Sequence, residues 1–403
     1  MEGNQFMPTL LAVIGTFLTA ITLPLIVELF AVTLLFLFEP KKQSSALGPF
    51  PRLTVVVPAH NEEGLIQNCV ESLLRSARGA ARVLVVAHNC TDATGEQAVQ
   101  SGAELLVYND IGARGKGQAL RHGFNRALEG GAEAVLVVDA DSVVSANLVP
   151  QVLQSLSQGA AAVQCRFEML SADQSARSRL ALLAFRAFNY IRSAGRDRLG
   201  LSAGISGSGF ALSARLLSKV PYEAFSVVED LEYHIHTVMA GERVRFVQSA
   251  VVSSYLPVSS SGAASQQSRW QGGRLWVARK YLPSLLGRIA KGQFRLIEPA
   301  LDLAGLPMAF GVAALLAEAL IPLHWVHLYV FTALCVIAAH VIVAAWVGPD
   351  LSSTLQLLAM TPFYMLWKFS LLPKLLKASS SRAAWIRTDR GAAVSGRLGR
   401  NTL

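Results

Sequence analysis

The chain has 403 residues, of which only 16% are charged, and its mean hydropathy is +0.40. Soluble domains carry about 25% charged residues, so this composition excludes an ordinary soluble protein and places part of the chain in lipid. The net charge of +9 comes without a nucleic-acid-binding motif, and we expect anionic lipid headgroups rather than nucleic acid as its partner. The four cysteines have neither zinc-site nor disulfide-framework spacing and are expected to be reduced.

The first predicted element is an apolar helix over Phe6–Phe38, which only Glu28 interrupts. It is too long for the core of a signal peptide and has no basic region before it, so residues 1–48 are predicted to remain as a membrane anchor. Lys41 and Lys42 follow the helix. The positive-inside rule then predicts a cytoplasmic domain after the anchor and a location in the inner, cytoplasmic membrane.

Residues 49–262 have the pattern of a soluble α/β domain, in which short β-branched runs alternate with helix-length segments. The predicted strands are Leu53–Val57, Val83–Val86, Glu104–Val107 and Ala134–Val138. Apolar strands separated by helices indicate a mostly parallel, Rossmann-like sheet whose strands are buried on both faces. Ligands of such sheets bind at the carboxyl ends of the strands, so the polar residues there are candidate site residues.

The first two predicted strands end in turns that can hold a nucleotide. The first ends at Pro58–Glu63, where small residues can approach a ribose or base and where Glu62 or Glu63 can instead cap the next helix. The second ends at Ala87–Thr94, in which Asp92 is either a helix cap or a ligand contact. Each turn by itself leaves both interpretations open.

Two later turns favour a phosphate and a metal ion. Gly115 and Gly117 flank Lys116 at the start of a predicted helix, where small residues, the helix dipole and the ammonium all favour an anion. Asp139 and Asp141 follow the fourth strand, where unpaired buried carboxylates are costly and should meet a cation. Mg²⁺ or Mn²⁺ would bridge Asp141 and a donor diphosphate, while the neighbouring carboxylate can reach the ribose.

Two further motifs complete the candidates within this domain. Ser206–Phe210 is a loop of small residues in which Gly209 and Phe210 either face a sugar or form a simple turn. Glu229 and Asp230 open a helical pattern after an apolar pair. One of these acids can cap the helix, and the other can act as a general base.

Residues 263–298 are predicted to connect the domain to the membrane. Gln266, Arg269 and Trp270 stand near the start of this segment in the pattern Q-x-x-R-W. A basic amphipathic stretch follows them, and its charges are expected to face water or lipid headgroups at the interface.

The C-terminal part is predicted to return to the membrane. Residues 299–348 contain two apolar runs, Pro299–Ile321 and His324–Trp346, which predict a transmembrane hairpin. Residues 349–403 contain a less regular apolar stretch, Ser353–Leu372, followed by a basic tail. A spanning helix would carry that tail outside, against the positive-inside rule, so we predict an interfacial or re-entrant helix and a cytoplasmic tail.

The motifs PAHNEE, NCTDAT, RGKGQAL, VVDADS, SGSGF, VVEDLEY and QQSRW occur in this order before the predicted hairpin. This ordered set resembles the family 2 glycosyltransferases, most closely the branch with cellulose, chitin and hyaluronan synthases and bacterial exopolysaccharide glycosyltransferases. The resemblance covers roughly residues 50–375. It implies a GT-A domain flanked by N- and C-terminal transmembrane helices, a UDP-sugar donor, Mg²⁺ or Mn²⁺, and inversion at the anomeric carbon.

The resemblance also implies a role for each candidate residue. Asp230, with Glu229 beside it, would take the proton of the acceptor hydroxyl, while Arg269 stabilises the leaving diphosphate. Donor binding would fall to Ala59, Glu62, Asp92, Lys116, Asp139, Gln266 and Arg269. The metal ligands would be Asp141 and Asp139. The acceptor contacts would be Trp270, Gly209 and Phe210.

One position departs from the family pattern. His88 stands after the second strand, where the family usually has an aspartate that contacts the uracil or its surroundings. A histidine can donate or accept a hydrogen bond but carries no fixed negative charge. The departure therefore concerns recognition of the donor base and not catalysis.

Three functions compete. The first is transfer of a hexosyl or N-acetylhexosaminyl group to a polysaccharide or glycan, with a homo-oligomer or export partners as further possibilities. The second is a lipid glycosyltransferase that adds one sugar to a ceramide-like, diacylglycerol-like or polyprenyl acceptor, because about three spans are few for a polymer channel. The third is a non-catalytic nucleotide-binding scaffold in the membrane. Neither the sugar nor the acceptor follows from the sequence.

Overall fold

The computed structural model describes residues 3–38, 49–112, 115–171, 173, 175–257, 259–305 and 307–374, with side chains from residue 9 onward. Lys41 and Lys42, whose charges predict the orientation of the anchor, lie outside these ranges. So do Arg114 of the RGKGQAL motif and most of the basic C-terminal tail.

The described residues form one sheet of eight strands. The strands are β1 Leu53–Ala59, β2 Ala81–His88, β3 Glu104–Tyr108, β4 Ala134–Val137, β5 Val143–Val144, β6 Ala162–Leu170, β7 Phe210–Ser213 and β8 Val244–Tyr255. Their order across the sheet is β3-β2-β1-β4-β7-β6-β8-β5. All four predicted strands are confirmed, as β1 to β4.

The sheet is parallel in one half and mixed in the other. β3, β2, β1 and β4 run parallel, whereas β7 is antiparallel to both β4 and β6. β6 and β8 are parallel again, and β5 is antiparallel to β8. The predicted parallel arrangement therefore holds for the half in which the four motif-bearing strands end together, and the sheet as a whole is mixed.

Burial of the strands follows their place in the sheet. Val55, Val56 and Val57 of β1 are fully buried because helices cover both faces of this central strand. β3 is different, since it is the edge strand and Val107 is 59% exposed. The prediction that all four strands are buried on both faces is wrong for β3.

Helices cover the two faces of the sheet. The helices of this domain are α2 Ile66–Ala77, α3 Thr94–Gln100, α4 Lys116–Glu129, α5 Leu148–Ser157, α6 Ala176–Arg186, α7 Ser193–Arg198, α8 Ala214–Lys219 and α9 Glu229–Met239. α2 and α5 contribute to the core on one face, and α4, α8 and α9 contribute to the core on the other. A π-helical stretch, Ala187–Arg192, joins α6 to α7.

The Q-x-x-R-W element lies inside a long helix. This helix, α10, runs from Ser260 to Ala290 without a break, so it crosses the predicted domain boundary at 262/263. Ser259 caps it by accepting a hydrogen bond from the backbone N–H of Gly262. Gln266, Arg269 and Trp270 are therefore carried by a rigid helix.

The apolar helices agree in part with the predicted anchors. They are α1 Gly3–Phe36, α11 Ile297–Ala304, α12 Met308–Glu318 and α13 His324–Trp346. Within the described chain, Thr9–Phe36 of α1 and the whole of α13 are each long and apolar enough to cross a membrane. The segments Phe294–Ala304 and Met308–Glu318 could make a third span only as a bent pair.

The helix within the predicted span Pro299–Ile321 is broken, and whether the segment crosses a membrane stays a prediction. The helix axis turns by 84° between Phe294–Ala304 and Met308–Glu318. Gly305 ends α11 in an extended conformation, and Pro307 directly before α12 has no backbone N–H to continue the helical hydrogen bonds. These two residues explain the break.

The apolar helices pack on one another through α1. Val326, Val330 and Ala333 of α13 form a buried cluster with Leu315 of α12, and leucines of α1 pack against it. Thr22 of α1 also shares a hydrogen bond of 2.6 Å with the Tyr329 hydroxyl. The N-terminal and C-terminal apolar segments thus form one helical assembly.

The stretch predicted as interfacial or re-entrant consists of short helices. These are α14 Leu351–Leu357 and α15 Thr361–Ser370, with a 3₁₀ turn between them. Neither reaches the length of a membrane-crossing helix. Their placement at a membrane interface stays a prediction.

Candidate active site

Lys116 lies at the centre of the candidate site. Its Nζ atom lies 2.6 Å from Oδ1 of Asp139 and 3.4 Å from Oε1 of Glu229, and it donates a hydrogen bond to the carbonyl of Gly207. Lys116 is the first residue of α4, so the partial positive charge of the helix N-terminus adds to its ammonium. Three motifs that are far apart in sequence therefore meet at one amine.

The two acids of the VVEDLEY motif stand at the start of α9. Oδ1 of Asp230 accepts a hydrogen bond of 2.8 Å from the backbone N–H of Leu231. The other oxygen, Oδ2, lies 3.2 Å from the place a Cβ of Gly207 would occupy. Gly207 also has a φ of +79°, a left-handed conformation that favours glycine, so its loop can pass directly over this carboxylate.

Burial controls the protonation of these acids. Burial, together with the neighbouring charge of Asp230, raises the pKa of Glu229 to about 7 against the attraction of Lys116. Burial likewise raises the pKa of Asp230, and Lys116 again opposes the shift. Carboxyl groups with raised pKa values are suited to accept a proton during a reaction near neutral pH.

Lys116 stays charged in spite of its burial. Burial alone would lower the pKa of its ammonium, but Asp139 and Glu229 outweigh burial and raise that pKa above its ordinary value. The amine is therefore a permanent positive charge, available to an anion such as a diphosphate.

The D-x-D pair occupies the loop after β4. The backbone N–H of Asp139 donates to Oγ of Ser208 at 3.0 Å, which ties this loop to the SGSGF loop. Asp141 is 8% exposed, and its Oδ1 accepts long hydrogen bonds from the hydroxyls of Ser142 and Ser254 at 3.4 and 3.5 Å. Both carboxylates thus lie at the carboxyl end of β4, as predicted.

The acids near this loop can take a divalent ion only with help from a ligand. Among the described residues, no group of three or more His, Cys, Asp or Glu side chains could hold a metal by itself. Mg²⁺ is commonly bound through one or two carboxylates together with substrate phosphates and water. Asp141 and Asp139 fit that donor set, provided that a diphosphate supplies further oxygens.

Close packing brings α10 against the start of α9, which carries Glu229 and Asp230. A Cβ added to Gly273 would lie 2.7 Å from Cγ1 of Val228, the residue that precedes Glu229. Only glycine permits this approach. Arg269, one helical turn before Gly273, is therefore near the site, where burial lowers its pKa and the charges of Glu229, Asp139 and Asp230 oppose that shift.

The other two residues of the Q-x-x-R-W element are also largely enclosed. Gln266 is 3% exposed. Trp270 is partly buried, packs against the sheet core, and has its ring centroid 6.4 Å from that of Phe185 in α6. The α10 helix thus places an amide, a guanidinium and an indole on the part of its surface that faces the domain.

Hydrogen bonds join the turn after β1 to the turn after β2. Oδ1 of Asp92 accepts from the backbone N–H of Thr94 at 3.1 Å, and its Oδ2 accepts from that of Glu63 at 3.3 Å. In return, Oε2 of Glu63 accepts from the backbone N–H of Ala93 at 2.9 Å. Although burial alone would raise the pKa of Asp92, these hydrogen bonds lower it. Asp92 is therefore committed to the turn before α3, although the residue at the N-cap of that helix is Ala93.

The remaining residues of the first motif are held mainly through the backbone. The Ala59 side chain belongs to the sheet core, so only the Ala59 backbone could contact a nucleotide-sugar donor. The backbone N–H of Glu62 donates to Oγ1 of Thr94 at 2.8 Å. No carboxylate caps α2, whose first turn lacks a side-chain cap. Donor contacts of Ala59 and Glu62 stay predictions.

His88 lies at the end of β2 in a stack of rings. Its ring centroid is 5.2 Å from that of Tyr108, and the Tyr108 centroid is 3.8 Å from that of His122. Nε2 of His88 shares a 3.1 Å hydrogen bond with the side chain of Asn89. The backbone carbonyl of His88 also bonds Nδ1 of His60, which joins the first two motifs.

Two predicted acceptor contacts are wrong. Phe210 is 1% exposed and belongs to the core on the α4 side of the sheet. Gly209 is buried in the sheet, where its N–H bonds the carbonyl of Val137 and an added Cβ would lie 2.8 Å from Val252. Neither residue can offer a surface to a sugar.

Gln164, which holds the SGSGF loop in place, was not predicted as a site residue. Nε2 of the buried Gln164 donates to the carbonyl of Ser208 at 2.8 Å, and its Oε1 accepts from the backbone N–H of Ser206 at 2.9 Å. This side chain holds the loop against Asp139 and Lys116. A glutamine inside the apolar run of β6 was the available signal, because a buried amide needs partners.

The family comparison covers the sheet domain and the first part of α10. Residues 51–273 match the family described as "Glycosyltransferase like family 2". The chain is 25% identical over 243 residues to "Probable glycosyltransferase YdaM" of Bacillus subtilis (strain 168), which is 58% of this chain and 57% of that protein. It is 23% identical over 250 residues to "Probable glucomannan 4-beta-mannosyltransferase 6" of Oryza sativa subsp. japonica, covering 59% and 44%. Each alignment spans less than two thirds of the relative's own length.

One solved structure is similar over nearly the whole chain. It is "Mannosyltransferase PcManGT from Pyrobaculum calidifontis in complex with GDP-Man and Mn2+", with a TM-score of 0.51 and 20% identity, covering 93% of this chain and 99% of that one. At this identity the similarity shows the fold alone, which is the predicted GT-A fold. Since the family match spans more than half of the chain, the protein belongs to the family 2 glycosyltransferases.

Proposed function

We propose that the protein is an inverting glycosyltransferase that moves a hexosyl or N-acetylhexosaminyl group from a UDP-sugar to a polysaccharide or glycan acceptor. The observation that carries the proposal is the meeting of Asp139, Glu229 and Lys116 within 3.4 Å contacts, with Arg269 brought alongside by α10. A binding module for nucleotides would need the cations, but it would not need buried acids with raised pKa values.

Asp230 is the proposed general base. Inversion needs one base on the attacking side, and burial raises the pKa of Asp230 so that it can accept the acceptor hydroxyl proton. Glu229 lies 3.4 Å from Lys116 and would carry part of the negative charge of the site. Because neighbouring acids titrate together, Glu229 would also affect which of the two carboxylates holds the proton.

Lys116 and Arg269 are the proposed electrostatic support of the leaving diphosphate. Both are cations in a largely enclosed site, where fixed charges act more strongly than in water. Mg²⁺ or Mn²⁺, held by Asp141 and Asp139, would supply further neutralisation of the diphosphate. The Mn²⁺ named with the solved mannosyltransferase supports this assignment.

The donor base is proposed to be uracil, bound near the ends of β1 and β2. Ala59, Glu62 and His88 lie there, with Asp92 holding the turn beside them. The mannosyltransferase of similar fold is named with GDP-Man, so the base must be tested directly. His88 can offer either a donor or an acceptor, and its stack with Tyr108 leaves it few orientations.

A polysaccharide or glycan is the proposed acceptor class. The rice relative is described as a probable glucomannan mannosyltransferase, which supports a growing polymer. Trp270 is proposed to line the acceptor path, because an indole face suits a sugar ring and no other predicted acceptor contact remains. A lipid acceptor is the alternative, since two or three candidate spans in the described chain are few for a polymer channel.

The catalytic domain is proposed to lie on the cytoplasmic side of the inner membrane. The apolar helices α1 and α13 are each long enough to cross a membrane and would supply the anchor. The basic residues that follow α1 in the sequence support this orientation by the positive-inside rule.

The first test is turnover by the full chain in nanodiscs with Mg²⁺ or Mn²⁺ and a panel of UDP- and GDP-sugars, with and without a total lipid extract. We expect metal-dependent release of UDP, abolished in Asp230→Asn while UDP binding persists. Insoluble labelled product supports a polymer, and label that partitions into organic solvent supports the lipid acceptor. UDP binding without turnover of any donor would favour the non-catalytic scaffold.

A further inference from the structure

Glu232 is the third acid of the VVEDLEY motif, and the proposed reaction does not use it. It lies in the first turn of α9, where Glu229 and Glu232 stand three residues apart on one face of the helix. The side chain of Glu232 is only 2% exposed. A buried carboxylate is costly unless it is paired and hydrogen-bonded, so its partners should account for its burial.

The Glu232 carboxylate joins three parts of the structure. Its Oε1 accepts hydrogen bonds from Nζ of Lys280 at 2.8 Å and from the hydroxyl of Tyr281 at 2.7 Å, and both of these residues belong to α10. Its Oε2 accepts from the backbone N–H of Ser226 at 3.1 Å, in the loop that leads into α9. We call Glu232, Lys280, Tyr281 and Ser226 the α9–α10 clamp.

His236 adds a second contact to the tyrosine of the clamp. The Tyr281 hydroxyl donates its only hydrogen to Glu232, so it must accept at its 2.8 Å contact with Nε2 of His236. His236 stands one helical turn after Glu232 on α9. Tyr281 is therefore bonded to two successive turns of α9, and a shift of one helix along the other would break both bonds.

The α9–α10 clamp is charged at neutral pH. Burial acts to raise the pKa of Glu232, but the hydrogen bonds of the clamp, chiefly that from Lys280, outweigh burial and lower it. Burial acts to lower the pKa of Lys280, and the contact with Glu232 raises it instead. The ammonium also lies 4.8 Å from the ring centroids of Trp276 and Tyr281. Charge-assisted hydrogen bonds are stronger than neutral ones, so the clamp restrains the two helices firmly.

Apolar packing alone does not fix how α9 lies along α10. One buried cluster holds apolar side chains of both helices and of the residue before α9, namely Val228, Ile235, Val277, Ala278 and Leu285. Such contacts hold the helices together but have no direction, whereas hydrogen bonds have preferred distances and angles. The α9–α10 clamp therefore supplies the register between the two helices.

This register relates the helices that carry the proposed catalytic residues. Asp230 is the second residue of α9. Arg269 belongs to α10, about three turns before Lys280 and on the same face of the helix. A change in register would therefore move the proposed base relative to the cation that is proposed to face the diphosphate.

The loop held by the clamp also packs against the start of α4. A Cβ added to Gly117, the residue after Lys116, would collide with the backbone carbonyl of Ala224 in this loop. Ser226, whose N–H is bonded to Glu232, lies two residues further along the same loop. The clamp thus restrains the segment that lies between the proposed base and the Lys116 end of α4.

We propose that Glu232 is a positioning residue of the transferase, which fixes α9 and the loop before it against α10. The α9–α10 clamp would keep Asp230 and Arg269 in the geometry that sugar transfer requires. The inference rests on the proposed function and assigns Glu232 no contact with a substrate. Loss of the clamp should therefore lower the rate of transfer by the folded enzyme while nucleotide binding persists.

The test combines UDP release with backbone hydrogen exchange, both on the full chain in nanodiscs. Lys280→Gln is the main variant, because the Lys280 side chain is 47% exposed and its loss should leave the protein folded. We expect faster exchange over residues 223–231 in the donor-free variant. With the donor that the wild type uses best, kcat per UDP-binding site should fall about tenfold with little change in the donor KM, since a displacement near 1 Å can cost about 10²-fold.

Three further variants separate positioning from a loss of stability. Lys280→Arg keeps the charge and the hydrogen-bond donors, so it should restore kcat to near the wild-type value. Lys291→Gln, which removes an exposed lysine at the end of α10, should match the wild type. Glu232→Gln should lower kcat about 10²-fold. Adding Lys280→Gln to it should lower kcat no further, because both substitutions act through one contact.

Each outcome decides a separate step of the proposal. Unchanged exchange over residues 223–231 in Lys280→Gln would overturn the clamp. Faster exchange with an unchanged kcat would overturn its role in positioning, as would an equal loss of kcat in Lys280→Arg and Lys280→Gln. If the wild type releases no UDP from any donor, the transferase function and the positioning role both fall, and faster exchange in the variants would then assign the clamp to the fold alone.

Discussion

Nη2 of Arg192 lies 2.9 Å from Oε2 of Glu28, so a side chain of the catalytic domain is paired with a carboxylate inside the N-terminal apolar helix. Arg196 also bonds Glu28 and lies 2.8 Å from Oε1 of Glu298. Arg192 further contacts Asp302 at 2.7 Å. The charges of these partly or fully buried groups are shared among α1, the π-helical stretch, α7 and α11.

Arg274 connects the same network to the Q-x-x-R-W helix. Its Nη2 lies 3.7 Å from Oδ1 of Asp302 and donates to the Asp302 carbonyl. The three arginines balance the three acids, Glu28, Glu298 and Asp302. Because Arg274 and Arg269 belong to one continuous helix, α10 connects this network to the candidate active site.

The first prediction concerns Glu28→Gln. Removal of one partner leaves Arg192 and Arg196 with less compensation in a buried setting, and such losses cost about 3–5 kcal/mol. We expect a clearly lower midpoint of thermal unfolding in detergent. Glu133→Gln is the control, because Glu133 pairs with Arg52 in an exposed ion pair that contributes about 0–1 kcal/mol. Equal effects of the two substitutions would show that the network does not support the fold.

The sequence predicts the strand ends and their polar residues, but not how these residues pair. Period and composition identify β1 to β4, and parallel strands bring their carboxyl ends to one edge. The contact of Lys116 with Glu229 joins residues 113 positions apart, and no local pattern specifies it. Likewise, Glu28 is a single charge in an apolar run of the sequence. Its partner Arg192 lies 164 residues away, so no local pattern predicts the pair.

Local ambiguity explains two other differences. Phe210 follows a glycine-rich loop, and the sequence does not show which face of the sheet receives it; the structure buries it on the α4 side. Asp92 is committed to the turn because Thr94 and Glu63 offer their N–H groups to it. The break before α12 could have been predicted from the sequence, because Pro307 lies within the apolar run.

The second prediction concerns Lys116→Gln. The substitution removes the cation that faces Asp139 and Glu229 and that is proposed to support the diphosphate. We expect kcat/KM for the donor to fall by about 10²–10³, the usual loss when one electrostatic donor is removed from an active site. The measurement is UDP release at a series of donor concentrations. Lys219→Gln, an exposed lysine paired with Glu242, is the control and should leave turnover unchanged.

The third prediction concerns pH and the acid pair. Burial raises the pKa of Glu229 from its ordinary 4.5 to about 7, so the folded state binds this proton more tightly than the unfolded state. The stability contribution is fully present below about pH 4.5 and is lost as pH rises through about 7. We expect the free energy of unfolding of the donor-free protein to decrease over this range.

The Glu229→Gln variant isolates that contribution. Its side chain does not titrate, so the difference in unfolding free energy between wild type and variant should shift with pH between about 4.5 and 7. Denaturant unfolding in detergent at several pH values measures it. A constant difference across this range would mean that Glu229 keeps an ordinary pKa in the folded protein.

The fourth prediction compares two glycines of α10. In Gly273→Ala the new Cβ would lie 2.7 Å from Val228, so the helix or the start of α9 must move. Gly287→Ala meets nothing within 4 Å and lies in the same helix, where alanine is favoured over glycine by about 0.5–1 kcal/mol. We expect Gly287→Ala to keep turnover and slightly raise stability.

Gly273→Ala is expected to lower turnover more than stability. Overpacking usually costs about 1–3 kcal/mol, which a helix of this length can absorb, but a displacement near 1 Å can reduce a rate about 10²-fold. UDP release and thermal unfolding, measured on both variants, separate the two effects. If Gly273→Ala loses stability while its remaining folded fraction turns over normally, then the approach of α10 to Val228 serves the fold and does not position Arg269.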